Sequence, residues 1–149
     1  MPIEKLLIAN RGEIAIRIAR AAGDLGITSV AAFSSDDHSS LHRQVSDESV
    51  GLDGSGVAAY LDIDQLVEAV ISSGCDAVHP GYGFLAENPN FASALETKGI
   101  IFVGPPSDQL ALFGDKLSAR NLAKRLDVPV VAATAGAATL EEVEEFLTE

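Results

Sequence analysis

The run Lys5-Leu6-Leu7-Ile8-Ala9-Asn10-Arg11-Gly12-Glu13-Ile14-Ala15-Ile16-Arg17 changes its period midway, and that change decides the fold. Residues 5–9 form an apolar run too short for a helix and suited to a buried strand. From Ile14 the spacing lengthens. Ile14, Ile18, Ala22 and Leu25 recur on one helical face, while Glu13, Arg17, Arg20 and Asp24 fall on another. Glu13 and Arg17 are spaced for an i,i+4 pair, worth only a few tenths of a kcal/mol. Gly26 is placed to end the helix, and Thr28 to Phe33 reads as a second strand. Strand, helix and strand in that order make a βαβ unit, with parallel pairing and a right-handed crossover. The fold class predicted is α/β: an open, mostly parallel sheet with helices on both faces.

The rest of the chain repeats the alternation. A short helix is expected around Leu41 to Val45 and a brief strand over Ser49 to Leu52, followed by a flexible loop at Gly54-Ser55-Gly56. Asp62 or Asp64 can cap a helix that Gly74 stops, and Ala77-Val78 forms the next strand. A helix from about Asn90 to Lys98 and a strand from Ile100 to Val103 follow. Beyond Gly104-Pro105-Pro106, a short helix ends at Gly114, and Asp115 caps another over Lys116 to Leu126. Val128 to Ala132 is apolar and β-branched, and a last helix begins at Thr139.

Composition narrows the function. The chain has 149 residues, 47% of them apolar and only 5% aromatic, so its core must be aliphatic and alanine-rich. A net charge of −12 argues against nucleic acid or an anionic membrane as the main partner. No apolar run approaches the ~20 residues of a membrane span, and no leader pattern opens the chain. The single cysteine, Cys75, permits no internal disulfide and reads as a small buried residue. Together these features favour a soluble protein of the cytoplasm, or of an organelle after processing.

His79-Pro80-Gly81-Tyr82-Gly83-Phe84-Leu85-Ala86-Glu87-Asn88 joins a strand to a helix. Glycines, aromatics, a histidine and a carboxylate at the carboxyl end of a parallel strand suit a small-molecule site. A rigid, well-packed turn fits the same residues. Arg11 and Lys116 are cations at helix starts, where the dipole disfavours them by roughly 0.3–1 kcal/mol. Lys116 is therefore a candidate phosphate contact, or else a solvated lysine neutralised by Asp115. Arg11 is expected to bond loop carbonyls or Glu13. Asp36, Asp37 and His38 read as a solvated polar loop rather than metal ligands, and no metal-ligand set is expected. Asn10-Arg11-Gly12-Glu13 lacks the three glycines of a dinucleotide fingerprint. No nucleophile elbow or glycine-rich phosphate loop is present, so no catalytic residue is expected within this chain.

Taken together, the motifs resemble the biotin carboxylase family. Leu7 to Arg17 is similar to the family's opening, as is His79 to Asn88 to its second motif. Phe102-Val103-Gly104-Pro105 and Gly114-Asp115-Lys116-Leu117-Ser118-Ala119-Arg120 complete a set of four in the right order, supported more weakly by Leu41-His42 and Ser46-Asp47-Glu48. Val128 to Ala135 departs from the proline-glycine usual there.

The resemblance implies a Rossmann-like domain over residues 1–114, preceding an ATP-grasp region that begins at 115–149 and is expected to continue beyond residue 149. Such enzymes use ATP, Mg2+ and bicarbonate to carboxylate the N1 nitrogen of carrier-linked biotin. By resemblance Lys116 contacts the nucleotide, and Tyr82, Gly83 and Phe84 form the biotin pocket. Arg11, His79 and Glu87 brace loops, and Arg20 and Asp24 contribute to a homodimer contact. Expected partners are a biotin carboxyl carrier domain and a carboxyltransferase domain or subunit. The acceptor substrate belongs to that other catalytic domain. The isolated chain is expected to be inactive. Two other classes fit the same outline less well: another ATP-grasp ligase of carbamoyl-phosphate synthase or purine-pathway type, and a non-catalytic dimerisation module.

Overall fold

Lys5–Ile8 forms strand β1, because Leu6, Leu7 and Ile8 can all be buried when both faces of a parallel sheet are covered. The computed structural model describes residues 2–132 and 139–148. Helix α1 (Gly12–Asp24) follows, and Gly26 ends it at φ +70°. Strand β2 (Thr28–Phe33) leads to a 3-10 turn (Ser35–Asp37), helix α2 (Leu41–Val45) and strand β3 (Glu48–Gly51). Helix α3 (Gly56–Ala59), which was not expected, begins at the last residue of the loop expected over Gly54-Ser55-Gly56.

Helix α4 (Ile63–Ser72) is capped by Asp62, whose carboxylate accepts the Gln65 N–H at 3.0 Å. Strand β4 (Ala77–His79) leads through the predicted loop to helix α5 (Pro89–Thr97). Asn88 caps that helix, accepting from the Asn90 and Phe91 N–H groups, with Pro89 in its first turn. Strand β5 (Ile101–Phe102) and helix α6 (Ser107–Gly114) complete the alternation.

The sheet is five-stranded and all parallel, in the order β3-β2-β1-β4-β5. Successive side chains alternate between its faces. Leu7, Val30 and Val78 enter a core with Tyr60, Leu66, Val70, Phe91 and Leu95. Leu6, Ile8 and Ala77 face the other way, against Ala15, Ile18, Ala19 and Ala22 of α1. The expected α/β class and its parallel pairing are what the structure has. Glu13 and Arg17 form no ion pair among the described residues; both are exposed, where such a pair adds little.

The chain divides into two compact units between Leu110 and Ala111. The second contains helix α7 (Lys116–Arg125), capped by Asp115 through the Ser118 N–H, and helix α8 (Leu140–Thr148). Val128 to Ala132 forms neither helix nor strand. Residues 133–135 of the divergent stretch lie outside the described residues.

Candidate functional site

The strand order creates a switch point. From β1 the chain moves through α1 to β2 on one side, whereas β4 and β5 lie on the other. In open α/β sheets ligands bind outside the carboxyl ends of the strands at such a point. Asn10, Arg11 and Gly12 leave β1 there, and His79 to Phe84 leave β4.

These two segments are bolted together. The Asn10 side chain is 3% exposed, and its Nδ2 donates to the carbonyls of Pro80 at 2.7 Å and Tyr82 at 2.9 Å. Its Oδ1 accepts the Arg11 N–H at 2.8 Å. Gly81 has φ +66°, and a Cβ there would stand 2.7 Å from Asn10 Nδ2, so glycine is required twice over. His79 Nδ1 accepts the Gly81 N–H at 3.0 Å, which assigns the imidazole proton to Nε2. Burial pushes the His79 pKa down, so the ring is held neutral.

The far end of the loop is strained. Phe84 has φ +40°, a conformation that costs a bulky residue about 1–3 kcal/mol. Its ring stacks on that of Tyr60, with centroids 5.2 Å apart and planes 8° from parallel.

A polar network fixes Tyr60 in turn. Its hydroxyl donates to Asp37 Oδ2 at 2.9 Å and accepts the Ser34 N–H at 3.3 Å. Burial pushes the phenol pKa up to about 12. Arg11 reaches the same carboxylate oxygen at 3.1 Å, and its guanidinium lies 5.9 Å from the Tyr60 ring centroid. Burial alone would raise the Asp37 pKa. Hydrogen bonds from Ser40, Arg11 and Tyr60 outweigh it and hold the carboxyl below its ordinary value. Asp36 accepts from Ser34 Oγ at 2.7 Å and the Gly56 N–H at 2.8 Å, and the Gly56 bond leads in lowering its pKa.

Arg11 therefore has a different partner from those expected: Asp37, rather than Glu13 or loop carbonyls. The segment around Asp36 and Asp37 is polar and largely exposed, as expected, but both carboxylates are also hydrogen-bonded. The Arg11 correction has a simple cause. An arginine at a helix start needs a carboxylate, and the 3-10 turn after β2 supplies one.

The remaining predicted residues lie as follows. Tyr82 is 65% exposed, Gly83 has φ +68°, and nothing stands within 4 Å of where a Gly83 Cβ would be. Glu87 is exposed, and no described hydrogen bond uses its carboxylate; Asn10 does the bracing foreseen for it. Arg20 and Asp24 are exposed on α1 and line a shallow groove with Arg17 and Leu41. Lys116 is exposed at the first position of α7. No group of three or more His, Cys, Asp or Glu among the described residues could hold a metal. Cys75 is buried, and burial raises its pKa to about 11, so it stays a thiol. Among the described residues no helix is long and apolar enough to cross a membrane.

Sequence reasoning missed the parts played by Asn10, Tyr60 and Asp37. The one available signal was Arg11, a cation at a helix start whose nearby carboxylate, Glu13, is not the partner it takes.

Known proteins resemble this chain in sequence and in fold. Pyruvate carboxylase of Bacillus subtilis (strain 168) is 48% identical over an alignment of 147 residues that covers 97% of this chain and 13% of that protein. The chain thus spans about an eighth of the length of that relative. The biotin carboxylase domain of a single-chain bacterial carboxylase superposes with a TM-score of 0.94 at 52% identity, covering 97% of this chain and 34% of that one. The biotin carboxylase domain dimer of Hydrogenobacter thermophilus 2-oxoglutarate carboxylase, solved with MgADP, ADP and bicarbonate, gives 0.94 at 38% identity, covering 99% and 33%. Residues 2–110 match the family described as the biotin carboxylase N-terminal domain, and the chain belongs to that family.

Proposed function

We propose that the protein containing this chain uses ATP, Mg2+ and bicarbonate to carboxylate carrier-linked biotin, and that residues 79–84 form one wall of its biotin site. The observation that carries this reading is the open Tyr82-Gly83 backbone at the switch point, held by a clamped and strained loop. The space beside Gly83 fits a ligand lying against the backbone, and the exposed Tyr82 ring offers it a flat apolar surface. ATP with Mg2+ supplies the energy that activates bicarbonate, and biotin supplies the accepting nitrogen. This chain's own part is to position. Tyr82 and Gly83 limit how biotin can lie, and Phe84 holds their backbone from behind. The Lys116 ammonium, at the N-terminus of α7, would offset phosphate charge on the nucleotide.

In this reading Arg20 and Asp24 contribute to a homodimer contact. A biotin carboxyl carrier domain and a carboxyltransferase domain are the functional partners, in the cytoplasm. The N-terminal domain occupies residues 1–114 and the ATP-grasp region starts at 115. The unit boundary after Leu110 and the family match ending at 110 both fall in helix α6, four residues short of that division, and support it.

The test is ATP hydrolysis by the full-length protein with bicarbonate, adding free biotin, ammonia or glutamine. Stimulation by biotin is expected. Stimulation by ammonia or glutamine and not by biotin would move the protein to the carbamoyl-phosphate synthase class.

A further inference from the structure

We infer that Asn10 is a positioning residue for the biotin wall: its side chain sets the backbone path of Tyr82 and Gly83 from across the switch point. This rests on the reading of residues 82–83 as part of the biotin site. Asn10 lies in β1's exit turn and the loop in β4's, about 70 residues later in sequence. One buried amide bridges two alternate carbonyls of that loop, Pro80 and Tyr82, and fills the space a Gly81 side chain would need. The other end of the loop is held by the Phe84–Tyr60 stack, and Tyr60 is tied through Asp37 to Arg11. Both supports of the loop therefore converge on the adjacent residues Asn10 and Arg11. Between them, Tyr82 and Gly83 have open space in front and fixed backbone behind. An amide is required in this role. It gives two protons to carbonyls while its oxygen takes the Arg11 N–H.

Asn10→Asp separates this role from mere packing. Aspartate keeps the size and the acceptor for the Arg11 N–H, but turns a second oxygen towards the two carbonyls. In the full-length enzyme we expect faster amide hydrogen exchange at residues 81–84. We also expect KM for free biotin to rise about tenfold, with kcat at saturating biotin changing less. Gly81→Ala strikes the same contact from the loop side and is expected to shift exchange and KM in the same direction. It keeps the inference testable should Asn10→Asp fail to fold.

Unchanged exchange at residues 81–84 in the folded variant would overturn the clamp. Faster exchange with an unchanged KM for biotin, in an enzyme that carboxylates biotin, would overturn the positioning role. A wild-type protein that never carboxylates biotin would instead sink the proposed function, and the exchange measurement would still decide the clamp.

Discussion

Tyr60 does three things with one side chain. Its ring lies under Phe84, its oxygen accepts from Ser34, and its proton goes to Asp37. Tyr60→Phe keeps the stack but leaves a buried N–H and a carboxylate each short of a partner. It should lower stability by about 1–2 kcal/mol, read from urea unfolding. Two histidines, His42 buried and His79 half-buried, set a pH dependence. His42 is 1% exposed, and burial lowers its pKa from 6.5, as it does for His79. A histidine depressed in the folded state adds stability above 6.5, which is lost as pH falls through the folded value. The midpoint of thermal unfolding should therefore drop between pH 7 and pH 5, and drop less in His42→Gln. For the nucleotide, Lys116→Gln in the full-length protein should raise KM for ATP about tenfold, the worth of one charge-assisted hydrogen bond. An unchanged KM would remove Lys116 from the site. Arg11 shows where residue-level reading stops. Its need for a counter-charge is legible, but Asp37 lies 26 positions away, and only folding chooses it over Glu13.

Elements with a period announced themselves; of the short ones, helix α2 and strand β4 were expected and helix α3 was not. Helical spacing of apolar residues marked α1 and α4; Ile18, Ala22, Leu66 and Val70 of those patterns are buried, whereas Leu25, past the end of α1, and Ile71 are exposed. Helix α3 has four residues and begins beside Gly54-Ser55-Gly56, so nothing in its pattern separates it from a loop. Strand β5 was expected over four residues and pairs over only two, Ile101 and Phe102. Helix α5 illustrates how local chemistry fixes an end. Asn88→Ala removes the acceptor for two N–H groups and should cost about 1 kcal/mol, measured by chemical denaturation. Asn88→Asp should restore most of that loss, because aspartate caps as well as asparagine.

At the scale of the whole molecule, parallel pairing was legible from the βαβ pattern, but the strand order was not. Nothing local to β1 says that its second neighbour is β4 rather than β3. For the same reason the site was only half visible: the loop after β4 could be read, but not the asparagine that holds it. The polypeptide of 149 residues, expressed alone, is expected to show no bicarbonate-dependent ATP hydrolysis, since it spans an eighth of the length of a pyruvate carboxylase relative. Phosphate release on adding bicarbonate would contradict this. The central place of β1 also has a cost during synthesis. Leu6 pairs with Ala77, so once β1 has been made it waits for about 70 more residues before its β4 edge is covered. At the usual elongation rates that is roughly 4 to 14 s. Throughout that time an apolar edge of Leu6, Leu7 and Ile8 stands open in the nascent chain. The element that organises the finished sheet is thus the one most in need of chaperone cover while the protein is being made.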